Sequence, residues 1–252
     1  MALAVEHFGR TYATSAGSFT AVDDLSFAVG AGEIVGLIGP NGAGKTTTLR
    51  SLAGILRPTS GHVRIDGHDL VDDPLEAKRR LAFMPDEPHL FEYLTVEEHL
   101  RLVARLYGVD DFERRAAVLL DELELTGKER SLPGELSRGM RQKVVIACGL
   151  VRPATTLLFD EPLTGLDPIG IRRMRNTIVA RARDGAAILL SSHLLHLVEE
   201  VCSRVIIMDR GRKIADGTFA ELASRADLAT SGSSLEQIFL HVTGHDTSAG
   251  QS

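Results

Sequence analysis

The sequence predicts an α/β fold: a mostly parallel sheet with an N-terminal antiparallel β-subdomain and an inserted α-helical subdomain. Three observations predict it. Residues 1–35 contain alternating apolar and polar positions and a glycine-rich turn, which are typical of antiparallel strands. Residues 86–152 have the apolar spacing of amphipathic helices. Residues 156–208 alternate short apolar runs with helical segments, as in a parallel sheet that helices cover on both faces.

Composition and charge narrow the class of protein. Of the 252 residues, 44% are hydrophobic and 25% are charged, and the net charge is −6, so no basic field favours nucleic acid as the main partner. Cys148 and Cys202 lie among apolar residues without CxxC spacing, which predicts buried free thiols in a reducing cytosol. The apolar runs fall well short of the ~20 residues of a membrane span, so a membrane role would need a separate chain.

One glycine-rich stretch, Gly39–Thr47, fits the phosphate-loop spacing of glycine, four residues and Gly-Lys-Thr. The apolar run Glu33–Ile38 before it predicts a buried strand, and Lys45–Ile55 after it predicts a helix. A glycine-rich turn without function is the alternative. The strand and the helix favour a nucleotide-binding loop over that alternative.

The chemistry of this loop explains its spacing. Glycines let the backbone curl, so that consecutive N–H groups point into one concavity at the positive end of a helix. We expect Lys45 to contact the β- and γ-phosphates, Thr46 to hold Mg²⁺ and Thr47 to lie near the α-phosphate. The other loop residues expected to line the nucleotide are Gly39, Asn41, Gly42 and Gly44.

After the loop helix, the sequence pattern predicts short elements and then longer helices. Thr95 and Glu98 form a predicted capping box for a helix that runs to about Tyr107. The other elements predicted before residue 152 are a strand at His62–Gly67, a helix at Pro74–Arg80, a strand at Leu81–Met84, and helices over Asp110–Glu124 and Leu136–Leu150. Beyond it, strands are predicted at Thr156–Phe159, Ala187–Leu190 and Val205–Met208, with helices over 167–184 and Leu194–Cys202.

Two acids and a histidine directly follow predicted strands. Asp160 ends a buried strand and is expected to hold Mg²⁺ through its hydration shell, while Glu161 is expected to polarise an attacking water. His193 lies just past another strand end, where it could hydrogen-bond the γ-phosphate or the water. The alternatives are a strand-terminal acidic turn and a helix-capping histidine.

Two predicted helix starts carry further candidates. Ser137 and Gly139 open one helix, so that a hydroxyl and backbone N–H groups could donate to a phosphate. Asp167 precedes Pro168 as an N-cap, and a role at an interface is the sharper interpretation. A plain serine N-cap is the alternative for Ser137.

Five segments, in this order, resemble the motifs of the ATP-binding subunit of ABC transporters, and the resemblance covers nearly the whole chain. The signature is the most specific of them, because other phosphate-loop enzymes lack it. The matching segments are Gly39–Thr47 (Walker A), Leu136–Met140 (signature), Leu157–Glu161 (Walker B with the catalytic glutamate), Leu166–Asp167 (D-loop) and His193 (switch histidine).

The resemblance implies a P-loop NTPase core and hydrolysis of ATP with Mg²⁺, coupled to transport through a separate transmembrane permease at the cytoplasmic face of the cell membrane. Tyr12 matches the aromatic residue that stacks on adenine, and Phe19 is a second candidate. Two cassettes, identical or paralogous, would pair head to tail. Ser137 and Gly139 of one would then close over ATP bound to Lys45 of the other, and Asp167 would lie at their interface.

The order of the predicted elements also implies a division of the chain. The nucleotide-binding core with its antiparallel subdomain would comprise residues 1–85 and 153–225, and the helical subdomain with the signature residues 86–152. Residues 226–252 would form a C-terminal helix and a disordered tail. The loop 85–94 and the helix that begins at Thr95 would face the membrane partner, with a solvated connector as the alternative.

The chain departs from the family pattern at two places. Asp86 stands where the family usually has glutamine, and we expect its carboxylate to keep the catalytic, Mg²⁺-sensing role. Arg138 and Met140 replace the usual glycine and glutamine of the signature. This Ser-Arg-Gly-Met form resembles exporter-type subunits that pair with ABC-2-type membrane proteins.

Two other functions compete with transport. A non-transport ABC ATPase of repair or translation would usually carry coiled-coil insertions, zinc sites or tandem cassettes, and a role in cell division is a further form of this alternative. A P-loop kinase of small molecules would leave the signature unexplained. The transported substrate, the direction of transport and the identity of the second cassette stay open at this point.

Overall fold

The computed structural model describes residues 1–15, 17–225 and 234–244. The strands are β1 (Leu3–Thr14), β2 (Gly17–Val29), β3 (Ile34–Ile38), β4 (Ser60–Ile65), β5 (His68–Asp69), β6 (Leu81–Met84), β7 (Thr156–Asp160), β8 (Ala187–Ser191), β9 (Arg204–Asp209) and β10 (Arg212–Gly217). The helices are α1 (Lys45–Leu52), α2 (Pro74–Arg79), α3 (Val96–Leu106), α4 (Phe112–Glu122), α5 (Arg138–Leu150), α6 (Pro168–Arg183), α7 (Leu195–Val201), α8 (Phe219–Arg225) and α9 (Leu235–Thr243). In these ranges no helix is both long and apolar enough to cross a membrane.

The main sheet has the order β10-β9-β3-β8-β7-β6. Its strands are parallel except for β10, which pairs antiparallel with β9. Every residue of β3, β7 and β8 is buried, as their uninterrupted apolar runs predict for central strands. Because neighbouring parallel strands end at the same edge, the segments that follow β3, β7 and β8 converge there.

The two faces of the main sheet belong to different cores. Ile34 and Ile38 of β3 pack in the core that contains α3 to α7, whereas Val35 and Leu37 pack with α1 and the second sheet. This alternation follows from the two-residue period of a strand. The second sheet is antiparallel, in the order β2-β1-β4-β5, and contributes fully buried side chains such as Phe8 to the second core.

A run of helices without strands separates β6 from β7. Thr95 caps α3 through the predicted box: its hydroxyl accepts from the Glu98 N–H at 3.3 Å, and the Glu98 carboxylate accepts from the Thr95 N–H at 2.7 Å. The apolar faces of α3, α4 and α5 share the core of the main sheet. The predicted α/β fold class, with its antiparallel and helical parts, is confirmed. The boundaries at residues 85 and 152 stay predictions.

Some elements differ from the sequence-based expectation. Helix α1 ends at Leu52 rather than at Ile55, because Gly54 adopts the left-handed conformation (φ 68°) that terminates helices. Strand β10 was not predicted and extends the sheet by an antiparallel edge. In the segment predicted to hold a C-terminal helix and a tail, α9 is present, and the tail after residue 244 lies outside the described residues.

Replacing Gly36 by alanine is expected to lower the free energy of unfolding by about 1–3 kcal/mol, because it overpacks a filled core. A Cβ at Gly36 would lie 2.6 Å from Val198 Cγ1, on the helix that covers β3, and 3.2 Å from Sγ of Cys202, the residue directly after that helix. Urea unfolding measures the loss. Gly134→Ala is the matched control, since a Cβ there meets nothing within 4 Å. Equal stability of the two variants would contradict the packing argument.

Candidate active site

The candidate site begins where β3 runs into the phosphate loop. Gly44, the residue before α1, has φ 100°, and a Cβ on it would lie 2.6 Å from the carbonyl oxygen of Ala21. Only glycine fits this combination of backbone conformation and close approach. No side chain caps the first turn of α1, and that turn contains no acid. The N–H groups at the positive end of this helix therefore remain available to an anion.

Lys45 is folded back over the loop. Its Nζ donates to the carbonyl oxygens of Gly39 at 2.7 Å and Pro40 at 3.0 Å. Burial lowers the pKa of Lys45, and the charges of Glu161 and Asp160 oppose that shift. The ammonium group is thus held at the mouth of the loop beside two acids, where phosphate oxygens can reach it.

The carboxylate of Asp160, at the end of β7, contacts side chains from β8 and from the first turn of α1. Asp160 is only 2% exposed; its Oδ1 accepts from Ser191 Oγ at 2.6 Å and lies 3.4 Å from the donating Thr46 Oγ1. Ser191 pairs with Asp160 in the register of β7 and β8. Ser191 was not among the residues predicted from the sequence, although a hydroxyl at the end of an apolar strand was a signal that could have identified it.

Glu161 leaves the sheet in an unusual conformation and points its carboxylate at His193. The backbone of Glu161 has φ 51°, which is uncommon for a residue other than glycine. Its Oε2 lies 2.8 Å from His193 Nδ1 and accepts from the His193 N–H at 3.3 Å and from Thr164 Oγ1 at 3.4 Å. Because a carboxylate only accepts, Nδ1 carries the proton in this contact. The predicted base and switch histidine are therefore direct neighbours.

A cavity of about 440 Å³ opens over these groups. It brings together most of the residues predicted to bind or cleave the nucleotide, and Asp160 lies buried behind Thr46. The predicted residues that line the cavity are Asn41, Gly42, Gly44, Lys45, Thr46, Thr47, Asp86, Glu161 and His193, and Phe19, Ala21, Ala43 and Thr164 complete the wall.

Of the two aromatic candidates, Phe19 is the one in the cavity wall. Tyr12 and Phe19 are register partners across β1 and β2, so their side chains share a face of the hairpin. The Tyr12 ring is covered by the Arg10 guanidinium at 4.5 Å, whereas Phe19 is 58% exposed at the cavity. The geometry thus favours Phe19 for stacking on a base, and the assignment to Tyr12 stays a prediction.

The three predicted residues at helix starts lie outside this cavity. Ser137 caps α5 by accepting from the Met140 N–H at 3.2 Å, and Asp167 caps α6 by accepting from the Gly170 N–H at 2.6 Å. Gly139 packs on the D-loop, where a Cβ would lie 3.0 Å from the carbonyl oxygen of Gly165. A single chain therefore holds these groups apart from its own phosphate loop.

The oxygen donors at the cavity fit Mg²⁺ better than a metal that needs a protein cage. No group of three or more histidine, cysteine or acidic side chains in the described ranges could hold a metal ion. Mg²⁺ does not need such a group, because it keeps several waters and binds one or two protein oxygens together with substrate phosphates. Thr46, Asp160 and Asp86 offer oxygens of this kind beside the phosphate loop.

Comparison with known proteins identifies the family. A family model described as "ABC transporter" matches residues 22–164. The ABC-type transporter ATP-binding protein EcsA of Bacillus subtilis is 35% identical over 225 residues, which cover 88% of this chain and 90% of that protein. The SkfA peptide export ATP-binding protein SkfE of the same organism is 37% identical over 214 residues, covering 84% of this chain and 87% of SkfE.

A solved structure described as an ATP-binding subunit of an ABC transporter agrees closely. It has a TM-score of 0.90 and 37% identity and covers 96% of this chain and 100% of its own. The chain belongs to the ABC transporter family, as an ATP-binding subunit. It is an ATPase that powers transport together with transmembrane components, and the predicted function is confirmed at this level.

Ser191→Ala is expected to lower kcat for ATP roughly tenfold or more, because Ser191 supports Asp160, the predicted Mg²⁺ residue, and loss of a residue that supports a metal ligand has an effect of this size. The Ser191 hydroxyl donates to the Asp160 carboxylate at 2.6 Å and accepts from the Glu161 N–H at 3.2 Å. Its loss removes the bond that holds Asp160 and leaves the Glu161 N–H with the Ser191 carbonyl oxygen alone. Steady-state ATPase assays measure the effect.

Ser192→Ala provides the control for this prediction. Ser192 is equally buried, and its hydroxyl accepts from the Leu194 N–H at 3.0 Å, on the turn before α7. It should lose little activity. Comparable losses in both variants would show that Ser191 has no specific role in holding the acids.

Proposed function

We propose that the chain cleaves ATP by water attack in a head-to-tail pair of cassettes and thereby drives export through a separate permease. The observation that carries the proposal is the contact between Glu161 and His193 at the rim of the phosphate-loop cavity. A binding loop alone would retain a nucleotide. A carboxylate that an imidazole orients beside the loop can also activate water.

Glu161 is the group that polarises the water. The bonds from His193 and Thr164 all reach Oε2, which leaves Oε1 to accept from a water in the cavity. His193 keeps the carboxylate in this orientation and, being 56% exposed, can also reach the γ-phosphate. Lys45 and the N–H groups of α1 stabilise the negative charge that spreads over the phosphate oxygens.

Thr46, Asp160 and Asp86 are the residues we assign to Mg²⁺. Thr46 supplies a hydroxyl, Asp160 a buried carboxylate behind it, and Asp86 a carboxylate in the cavity wall. When bound, the ion neutralises phosphate charge and holds the β- and γ-phosphates in one geometry. The hydrogen bond from Ser191 keeps Asp160 in position for this role.

The separation of the signature from the cavity supports the head-to-tail pair. Ser137 and Gly139 lie at the start of α5, outside the chain's own cavity, and a helix start is a natural site for phosphate. We assign them to the nucleotide held by Lys45 of the second cassette, with Asp167 at the interface. Each chain then contributes its phosphate loop to one nucleotide site and its signature to the other. An ATP molecule lies between the phosphate loop of one cassette and the signature of the second.

An apolar surface around the loop 85–94 and α3 is the proposed contact for the permease. Phe91, Tyr93 and Leu106 are strongly exposed there, and Tyr93 is 88% exposed. The buried His99 shapes this loop: its Nε2 accepts from the Phe91 N–H at 2.9 Å, and its ring stacks on Phe91 at 5.9 Å. An ordered, exposed apolar patch on a transporter subunit fits a cytoplasmic segment of a membrane protein.

The direction and the location complete the proposal. Export is supported by the name of the relative SkfE, which describes a peptide export protein, and by the Ser-Arg-Gly-Met form of the signature. We place the chain on the cytoplasmic face of the membrane, since ATP is supplied there and the apolar patch gives it a membrane partner. We retain a permease of the ABC-2 type as the proposed partner.

Glu161→Gln is expected to bind ATP, to hydrolyse it at least ~100-fold more slowly and to accumulate as an ATP-bound dimer, because the water loses its base while the phosphate contacts remain. Single-turnover hydrolysis and sedimentation measure both effects. Lys45→Ala is the contrasting variant and should lose ATP affinity instead. Turnover of Glu161→Gln at the wild-type rate would refute the role of Glu161, and a monomer with bound ATP would refute the pair.

Tyr93→Glu is expected to abolish co-purification with the permease while the isolated chain keeps its ATPase rate, since a charge in the apolar patch opposes burial. Leu75→Glu is the matched control, because Leu75 is also exposed, on α2. Pull-down from detergent-solubilised membranes, with a parallel ATPase assay, measures both properties. Retained permease in the Tyr93 variant would argue against this surface.

A further inference from the structure

Two of the three positions at which the sequence departs from the family pattern, Asp86 and Arg138, are in contact. Asp86 follows β6 and Arg138 begins α5, yet Arg138 Nη2 lies 3.7 Å from Asp86 Oδ1. In the family's usual pattern both positions are uncharged, with glutamine and glycine. In this chain the two positions carry a negative and a positive charge.

The packing around Arg138 directs it to this contact. Its side chain runs past Gly165, where a Cβ would lie 3.9 Å from Arg138 Cδ and Nε. One turn further along α5, the buried Gln142 donates through Nε2 to the carbonyl oxygen of Pro85 at 2.9 Å. The first turns of α5 are therefore tied to residues 85 and 86 by a partly buried hydrogen bond and an ion pair.

Charge explains why Asp86 needs a partner. Asp86 lines the cavity together with Glu161, close to the position that a triphosphate would take. In the absence of the metal ion, a carboxylate there repels the phosphates, whereas the neutral amide of glutamine would not. Arg138 offsets that repulsion from outside the cavity, and both side chains are open enough to solvent for the interaction to depend on salt.

We propose that Arg138 is a positioning residue: it neutralises Asp86 and, through that ion pair, ties the start of α5 to the chain's own nucleotide cavity. The inference rests on the proposed function, in which the start of α5 contacts the nucleotide of the second cassette. Nucleotide bound in a chain's own cavity then affects the start of α5, which contacts the nucleotide of the second cassette. The pair thus forms a physical link between the two nucleotide sites.

A double-mutant cycle tests the pairing. Arg138→Gln should weaken ATP binding by roughly two- to fivefold, the range for exposed ion pairs, because Asp86 is left uncompensated. In an Asp86→Gln background the same Arg138 substitution should have no effect. Equilibrium binding of a fluorescent ATP analogue, with and without Mg²⁺, gives the four affinities, and the Arg138 effect should shrink as sodium chloride is raised.

Two controls separate loss of the Arg138–Asp86 pair from nonspecific effects of the substitutions. Arg172→Gln removes an equally positive side chain from the exposed surface of α6 and should leave ATP affinity unchanged. Amide hydrogen exchange of residues 138–142 in the nucleotide-free chain measures, without ATP, how firmly the start of α5 is held by its contacts with residues 85 and 86. Exchange there should accelerate in either single variant and accelerate no further in the double variant.

The outcomes distinguish this inference from the function on which it rests. Independent effects of the two substitutions, in affinity and in exchange, would overturn the pairing. A wild-type chain that binds ATP but neither hydrolyses it nor dimerises would refute the proposed function instead, and the exchange data would still decide whether Arg138 and Asp86 act as a pair.

Discussion

The buried carboxylate of Asp160 is the constraint on which the site depends. A charge that is 2% exposed at the end of a strand is costly unless hydrogen bonds compensate it. Its partners come from elsewhere in the chain: Ser191 from the neighbouring strand β8 and Thr46 from the first turn of α1. Both are in reach only if β3, β7 and β8 end at one level. The acid therefore links the parallel register of the sheet to the geometry of the phosphate loop.

The next residue shows how one step along the chain changes the role of a carboxylate. Glu161 enters the left-handed region, and its N–H donates to the backbone carbonyl and hydroxyl oxygens of Ser191. Its side chain then faces the cavity, whereas that of Asp160 is enclosed. Two consecutive acids thus occupy different environments, and each environment suits one part of the chemistry. Ser191 serves both, which makes the end of β8 as important as the end of β7.

The sequence was sufficient for features set by contiguous residues. The phosphate loop, the acid pair at the end of β7, the capping box at Thr95 and the alternation that defines the sheet each depend on local spacing. The fold class followed from them. Features that depend on packing were not accessible. The role of Ser191 requires the register of β7 against β8.

Two further features also depend on packing and could not be predicted from the sequence. The exposure of Phe19 at the cavity depends on how the β1–β2 hairpin lies over the loop. The contact of Arg138 with Asp86 requires α5 to pack on β6, and those residues belong to motifs that are separate in sequence.

The hydrogen bonds of Lys45 have a consequence for repeated cycles of the transporter. Its ammonium is satisfied by the carbonyl oxygens of Gly39 and Pro40, so the loop is braced by its own side chain. The phosphates of a bound nucleotide replace these hydrogen bonds. Because the loop is already ordered, the conformational entropy lost on binding stays small. When the products leave, the same bonds can reform. The loop is thus preorganised and can return to its starting shape after each turnover.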